Sequence, residues 1–176
     1  MSELEEFRRR KDEFFRTGDG SPLAPEQRAA FHGLVYYPPN PTLVIEARLD
    51  PDLDSAEVRM QTSTGSEQVY SRAGTVRFEV GGEPAQVTLF APHGTEHLFL
   101  PFRDATSGNG TYPAGRYLDV EPSGEAGLIT IDFNLAYNPS CAYNACWGCP
   151  IPPIENWLKV PIEAGELVYP HPIEAG

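Results

Sequence analysis

The sequence predicts one predominantly antiparallel β domain, either a barrel or a sandwich, with a single α-helix at its amino terminus. Three observations carry that expectation. Eight apolar runs recur at roughly ten-residue spacing between residues 42 and 162, the rhythm of strands in such folds. Clusters of Gly, Pro, Ser and Asn separate them, and no helical periodicity intervenes. Residues 2–16 alone carry a helical stripe, followed at once by a stop signal.

Ser2 and Glu5 open that helix at capping-box spacing, so each side chain can satisfy a free N–H of the first turn. Leu4, Phe7, Lys11 and Phe14 fall on one stripe, with Phe15 beside it. Phe7 and Phe14 are thus expected to pack the helix onto the sheet while the Lys11 stem snorkels. Glu5 with Arg9 and Glu6 with Arg10 add i,i+4 pairs. TGDGSPLAP then ends the helix, and PEQRAAF, opened by Pro25, is short enough for one or two further turns.

From residue 42 the period changes. TLVIEARL (42–49), AEVRMQT (56–62), TVRFEV (75–80), AQVTLF (85–90), EHLFLPF (96–102), GRYLDVE (115–121), LITIDF (128–133) and NWLKVPI (156–162) alternate or run β-branched and aromatic. Gly81-Gly82 marks a tight hairpin, and SGNG and PSGEAG mark further turns. The organisation read from this is one domain, 1–176, with a helix at 2–16, a β domain over 42–166 and a tail over 167–176. PIEAG occurs at 161–165 and again at 172–176, and the second copy reads as a duplication in the tail.

At 40% apolar and 22% charged residues the composition is that of an ordinary globular chain. The net charge is −12, from 25 acidic and 13 basic residues. Such a field repels phosphate backbones and anionic lipid, so neither a nucleic-acid nor a membrane partner is expected. No apolar run reaches the ~20 residues that span a bilayer, and MSELEEFRRRKDEFF lacks the apolar centre of a secretion signal. Three cysteines are a poor disulfide framework. The expected location is the cytoplasm; the oligomeric state stays open.

SPLAPEQRAAFHGLVYYPPNP (21–41), LFLPFRDATSGNGTYPAGRYLDVE (98–121) and IDFNLAYNPSCAYNACWGCPIPPIENWLKVPIEAGE (131–166) together resemble a known family, domain of unknown function sixteen eighty-four. The likeness runs from about residue 5 to 166. It implies a single mostly-β domain found in bacteria and archaea, and no established activity. Asp104, Thr106, Tyr112, Gly115, Arg116, Tyr117, Asp132, Asn134, Tyr137, Asn138, Pro139, Cys141, Tyr143, Cys149, Pro150, Pro153 and Asn156 match the family's motif positions. Cys146 departs from its pattern.

Cys141, Cys146 and Cys149 stand in C-x₄-C-x₂-C spacing. A plant-type iron–sulfur cluster needs a fourth cysteine, and none follows Cys149. A zinc site would need a histidine as its fourth ligand, from His32, His93, His97 or His171. A thiol–disulfide C-x₂-C places its first cysteine at a helix N-terminus, yet Pro150, Pro152 and Pro153 follow Cys149 immediately. The reading adopted is a stiff loop over the sheet, its φ angles fixed by proline and its cysteines acting as small apolar residues, with no metal and no cofactor.

Several polar residues lie where strands are predicted. Asp104, Arg116, Asp132 and Asn134 sit within or at the ends of apolar runs, where they must pair with one another or line a pocket. Tyr112, Tyr137 and Tyr143 could wall such a pocket, with Arg116 holding an anionic group. The candidate ligand-binding set is therefore Asp104, Tyr112, Arg116, Asp132, Asn134, Tyr137 and Tyr143, for a small molecule with an anionic group. The alternatives are a hydrolase using paired carboxylates (Asp104 and Asp132) or a cysteine nucleophile, a zinc-binding structural domain, and a purely structural polar network.

Overall fold

The computed structural model describes all residues except Gly94, Glu96, Ser123, Gly124, Ala126 and Gly176. The PSGEAG turn, the start of EHLFLPF and the last residue of the second PIEAG therefore lie partly outside the described residues.

Helix α1 (Glu3–Thr17) begins at Ser2, whose hydroxyl accepts from Glu5 N while the Glu5 carboxylate accepts from Ser2 N, completing the predicted capping box. Because Glu5 is committed to the cap, Glu6 takes the arginines, holding Arg9 at 2.7 Å and Arg10 at 3.8 Å. The packing face differs from the expected stripe. Phe15 is buried, whereas Phe7 and Phe14 remain 37% and 46% exposed. Phe15 meets Phe31 and Tyr143 edge-on or tilted at 6.0 and 5.0 Å, in a small cluster with Leu23 and Tyr169. Helix α2 (Pro25–Ala29) follows; its buried Gln27 donates to the carbonyls of Tyr143 and His171, tying both ends of the chain to the cysteine loop.

The described strands form two antiparallel sheets, so the fold is mainly β. β1 (Val44–Arg48) pairs with β8 (Leu128–Asp132) as a ribbon. The larger sheet has the order β2 (Asp50–Pro51), β4 (Glu67–Val80), β5 (Glu83–Pro92), β6 (Leu98–Phe102), β7 (Arg116–Val120), with β3 (Glu57–Gln61) also paired to β4. Gly81 and Gly82 form the two-residue β4–β5 loop with φ of 57° and 83°, positive at both positions as a hairpin twisting with its strands requires.

Two predicted boundaries move. β4 starts well before TVRFEV, its register shifting between Arg72 and Gly74, so a bulge hides its first half from a simple alternation test. NWLKVPI forms no strand of its own; Trp157 bridges Arg103, the residue that follows β6. Residues past 166 also do more than trail. Ile173 bridges Asn144, and Tyr169 is buried.

β6 is buried on both faces, and strand alternation explains what each face does. Leu98, Leu100 and Phe102 enter the main core with Leu118, Val120, Ile131 and Phe133. Phe99 turns the other way and joins Met60, Tyr70, Phe90, Tyr117 and Cys149. This second face carries the candidate site. No helix among the described residues is long and apolar enough to cross a membrane.

Candidate functional site

A cleft of about 830 Å³ separates α1 from the aromatic face of the larger sheet, within the roughly 300–1,000 Å³ typical of small-molecule sites. Its floor is Tyr70, Phe99, Tyr117 and Tyr137, with Cys149 and Pro150; Phe7, Phe14, Arg10 and Lys11 of α1 form the opposite side. The floor is set by aromatic packing. Tyr70 stacks on Phe99 at 5.5 Å, Phe99 meets Tyr117 edge-on at 4.8 Å, and Tyr117 meets Tyr137 edge-on at 5.9 Å. Tyr117 and Tyr137 also exchange backbone hydrogen bonds of 2.8 and 2.9 Å, so the post-β8 segment extends the sheet edge there. Burial pushes both hydroxyls well above the usual tyrosine range. They act as neutral donors, Tyr117 to the Pro150 carbonyl and Tyr137 to Asp119 at 2.8 Å.

The charge on the cleft is one-sided. Arg10 and Lys11 line it, and no aspartate or glutamate does among the described residues. Lys11 lies 4.9 Å from the Tyr137 ring centroid and donates to buried Glu166, whose other oxygen accepts from Asn138 N at 2.9 Å and Tyr143 Oη at 2.5 Å. Arg10 stays largely exposed beside Glu6. The Phe14 ring lies over the turn that ends α1, where a Cβ on Gly18 would stand 2.4 Å from it; glycine there lets the ring lie flat against the chain.

The seven residues read from the sequence fall into separate groups. Tyr137 and Tyr143 line the cleft. Arg116 is fully buried elsewhere, donating to the carbonyls of Ile162 at 2.8 Å and Glu166 at 3.2 Å, to that of Ala164, and to Asp104 at 3.4 Å. Asp104 in turn accepts from Ile162 N at 2.6 Å and from Thr106 N and Oγ1. Arg116 and Asp104 thus bind the 162–166 segment onto β7. Burial lowers the Arg116 pKa, and Asp104 opposes that shift. Gly165, at φ 80°, lets the segment turn its carbonyls inward, and a Cβ there would meet Ala136 O at 2.7 Å.

Asp132 and Asn134 form another network. Asp132 accepts from the backbone and side-chain nitrogens of Asn134, both at 2.9 Å, and the Asn134 amide grips Asn40 N and O at 2.7 and 2.9 Å. Asp104 and Asp132 therefore belong to different networks. Tyr112 lies apart from the cleft lining, its hydroxyl 3.6 Å from Cys141 Sγ.

Sequence reasoning missed most of the cleft: Phe7, Arg10, Lys11, Phe14, Tyr70, Phe99, Tyr117 and Cys149. The signal was present in part, because Phe99 and Tyr117 alternate with core-facing positions, Leu98, Leu100 and Phe102 in β6 and Leu118 and Val120 in β7.

The cysteines are all free thiols: Cys146 exposed, Cys141 half-buried and Cys149 buried. Among the described residues no three His, Cys, Asp or Glu side chains converge as a metal site requires. The loop is fixed by hydrogen bonds to the end of β3: Ser63 N to Cys149 O at 2.9 Å, Cys149 N to Ser63 Oγ at 3.1 Å, and Ile151 N to Gln61 O at 2.8 Å.

A search of curated proteins gave no match. Among solved structures, the fold is similar to the solution NMR structure of an uncharacterised protein from Haloarcula marismortui. The two are 39% identical with a TM-score of 0.74, over 93% of this chain and 91% of that one. Residues 29–167 match the family described as "Protein of unknown function (DUF1684)". The chain belongs to that family.

Proposed function

We propose that the protein binds a small molecule with a flat apolar body and an anionic group in the cleft beneath α1. One observation carries this: in a chain of net charge −12, the aromatic cleft is lined by two cations and no carboxylate among the described residues. Aromatic faces favour a planar or hydrocarbon body. Lys11 is held by Glu166, so Arg10 supplies the charge that meets the anion. Tyr137 and Tyr143 remain in the proposed site. Asp104, Arg116, Asp132 and Asn134 hold the backbone around it, and Tyr112 serves Cys141. An odd number of cysteines and the acidic balance support a cytoplasmic place without a nucleic-acid partner.

The test is thermal unfolding against a panel of aromatic and fatty carboxylates. A true ligand raises Tm with concentration, equivalent to about 2.7 kcal/mol at a hundredfold excess over Kd. The rise should vanish in Phe7→Asp. A panel without any stabiliser, or equal stabilisation of Phe7→Asp, contradicts the reading.

A further inference from the structure

Two cysteines meet within the 138–153 loop. Cys149 Sγ accepts from Cys141 N at 3.2 Å, which sets the two cysteine side chains beside one another. The Tyr112 hydroxyl stands 3.6 Å from the Cys141 sulfur. Cys141 is half-buried and Cys149 is buried, so one sulfur of the pair is reachable and the other is sheltered. The spacing is C-x₇-C, and the C-x₂-C formed by Cys146 and Cys149 does not describe it.

We propose that Cys141 and Cys149 form a reversible dithiol–disulfide site, with Cys141 the attacking sulfur, Cys149 the resolving one, and a peroxide the oxidant.

The neighbouring Cys149 thiol and, less strongly, Tyr112 hold the Cys141 thiol below its ordinary range. That favours the thiolate, the form that reacts. Cys141 and burial push the Cys149 thiol up, which suits the resolving role. In the first step the Cys141 thiolate attacks one peroxide oxygen. An S–O bond forms and the O–O bond breaks; sulfur is oxidised to sulfenic acid, and the peroxide is reduced to water or an alcohol, which takes up a proton. In the second step the Cys149 sulfur attacks Cys141 Sγ, the S–O bond breaks, and the departing hydroxide leaves as water with the Cys149 proton. A dithiol reductant returns both thiols by exchange, supplying two electrons and two protons. Cys149 also reaches the cleft floor, but the redox test stands whether or not a small molecule binds there.

The experiment uses the full native chain. Hydrogen peroxide is added at neutral pH, remaining thiols are alkylated, and peptides are mapped by mass. The expected product is a Cys141–Cys149 cross-link, reversed by dithiothreitol, with Cys146 still alkylatable. In the untreated native protein, peptide-resolved alkylation of Cys141 by iodoacetamide should be half-maximal below the ordinary thiol range. In Cys149→Ser the sulfenic acid should persist and be trapped by dimedone. A Cys146–Cys149 cross-link, no cross-link in the native state, or alkylation of Cys141 with a midpoint within the ordinary thiol range overturns the proposal. The first two measurements need no variant.

Discussion

Asn156 pairs with Thr88 as a neighbouring strand would, accepting from its N–H and donating to its carbonyl, both at 2.8 Å. The second amide hydrogen goes to the carbonyl of Pro101, also at 2.8 Å. The β5–β6 register runs through Phe90 and Phe99, which sets Thr88 opposite Pro101. Proline has no N–H to give across the ladder, and the fully buried Asn156 amide fills the gap. Asn156→Ala should therefore destabilise the protein by about 3 kcal/mol, near 1 kcal/mol for each lost bond. A shift of the urea midpoint without a change in m-value checks it.

Arg116→Met tests the network that holds the 162–166 segment. Truncation leaves Asp104 buried without its cation, which should cost about 3–5 kcal/mol. Cleft binding should survive in the folded fraction, because Arg116 does not line the cleft. Unchanged stability with loss of ligand-induced stabilisation would mean that Arg116 faces the ligand after all.

Lys11→Met removes the cation from Glu166, whose side chain is only 1% exposed. Asn138 and Tyr143 still donate to that carboxylate, so the expected loss is about 3 kcal/mol, at the low end for a buried pair. Arg9→Ala, which breaks an exposed pair with Glu6, should change stability by less than about 1 kcal/mol. Comparable effects for the two variants in chemical denaturation would contradict the assignment.

Local chemistry made much of this fold legible. The Ser2–Glu5 cap, the Gly81-Gly82 turn and the short β6, β7 and β8 runs are written in adjacent residues, and each forms where expected. The bulge in β4 obscured its first half, and NWLKVPI is apolar because Val160 and Ile162 enter the main core without a sheet ladder. The candidate site was harder to read. A stripe of Phe7, Lys11 and Phe14 looks the same whether it packs a core or roofs a cleft, since periodicity reports a face and not what covers it. Arg116 and Asp132 advertise burial in the sequence, but only the tertiary structure shows that each is engaged by backbone or amide partners at its own place.

The claim that α1 and the aromatic sheet face form a binding cleft for an aromatic anion is tested most directly by titrating the native protein with 1-anilinonaphthalene-8-sulfonate and following its fluorescence. The expected result is a saturable one-to-one isotherm, weakened by salt as the charge of Arg10 is screened. In Phe14→Asp, where the roof loses a ring and gains a negative charge, affinity should fall at least about tenfold, or about 1.4 kcal/mol. Phe14 is 46% exposed, so the variant should keep the wild-type circular dichroism. No saturable binding to the wild type, or equal affinity in a folded Phe14→Asp, would contradict the account.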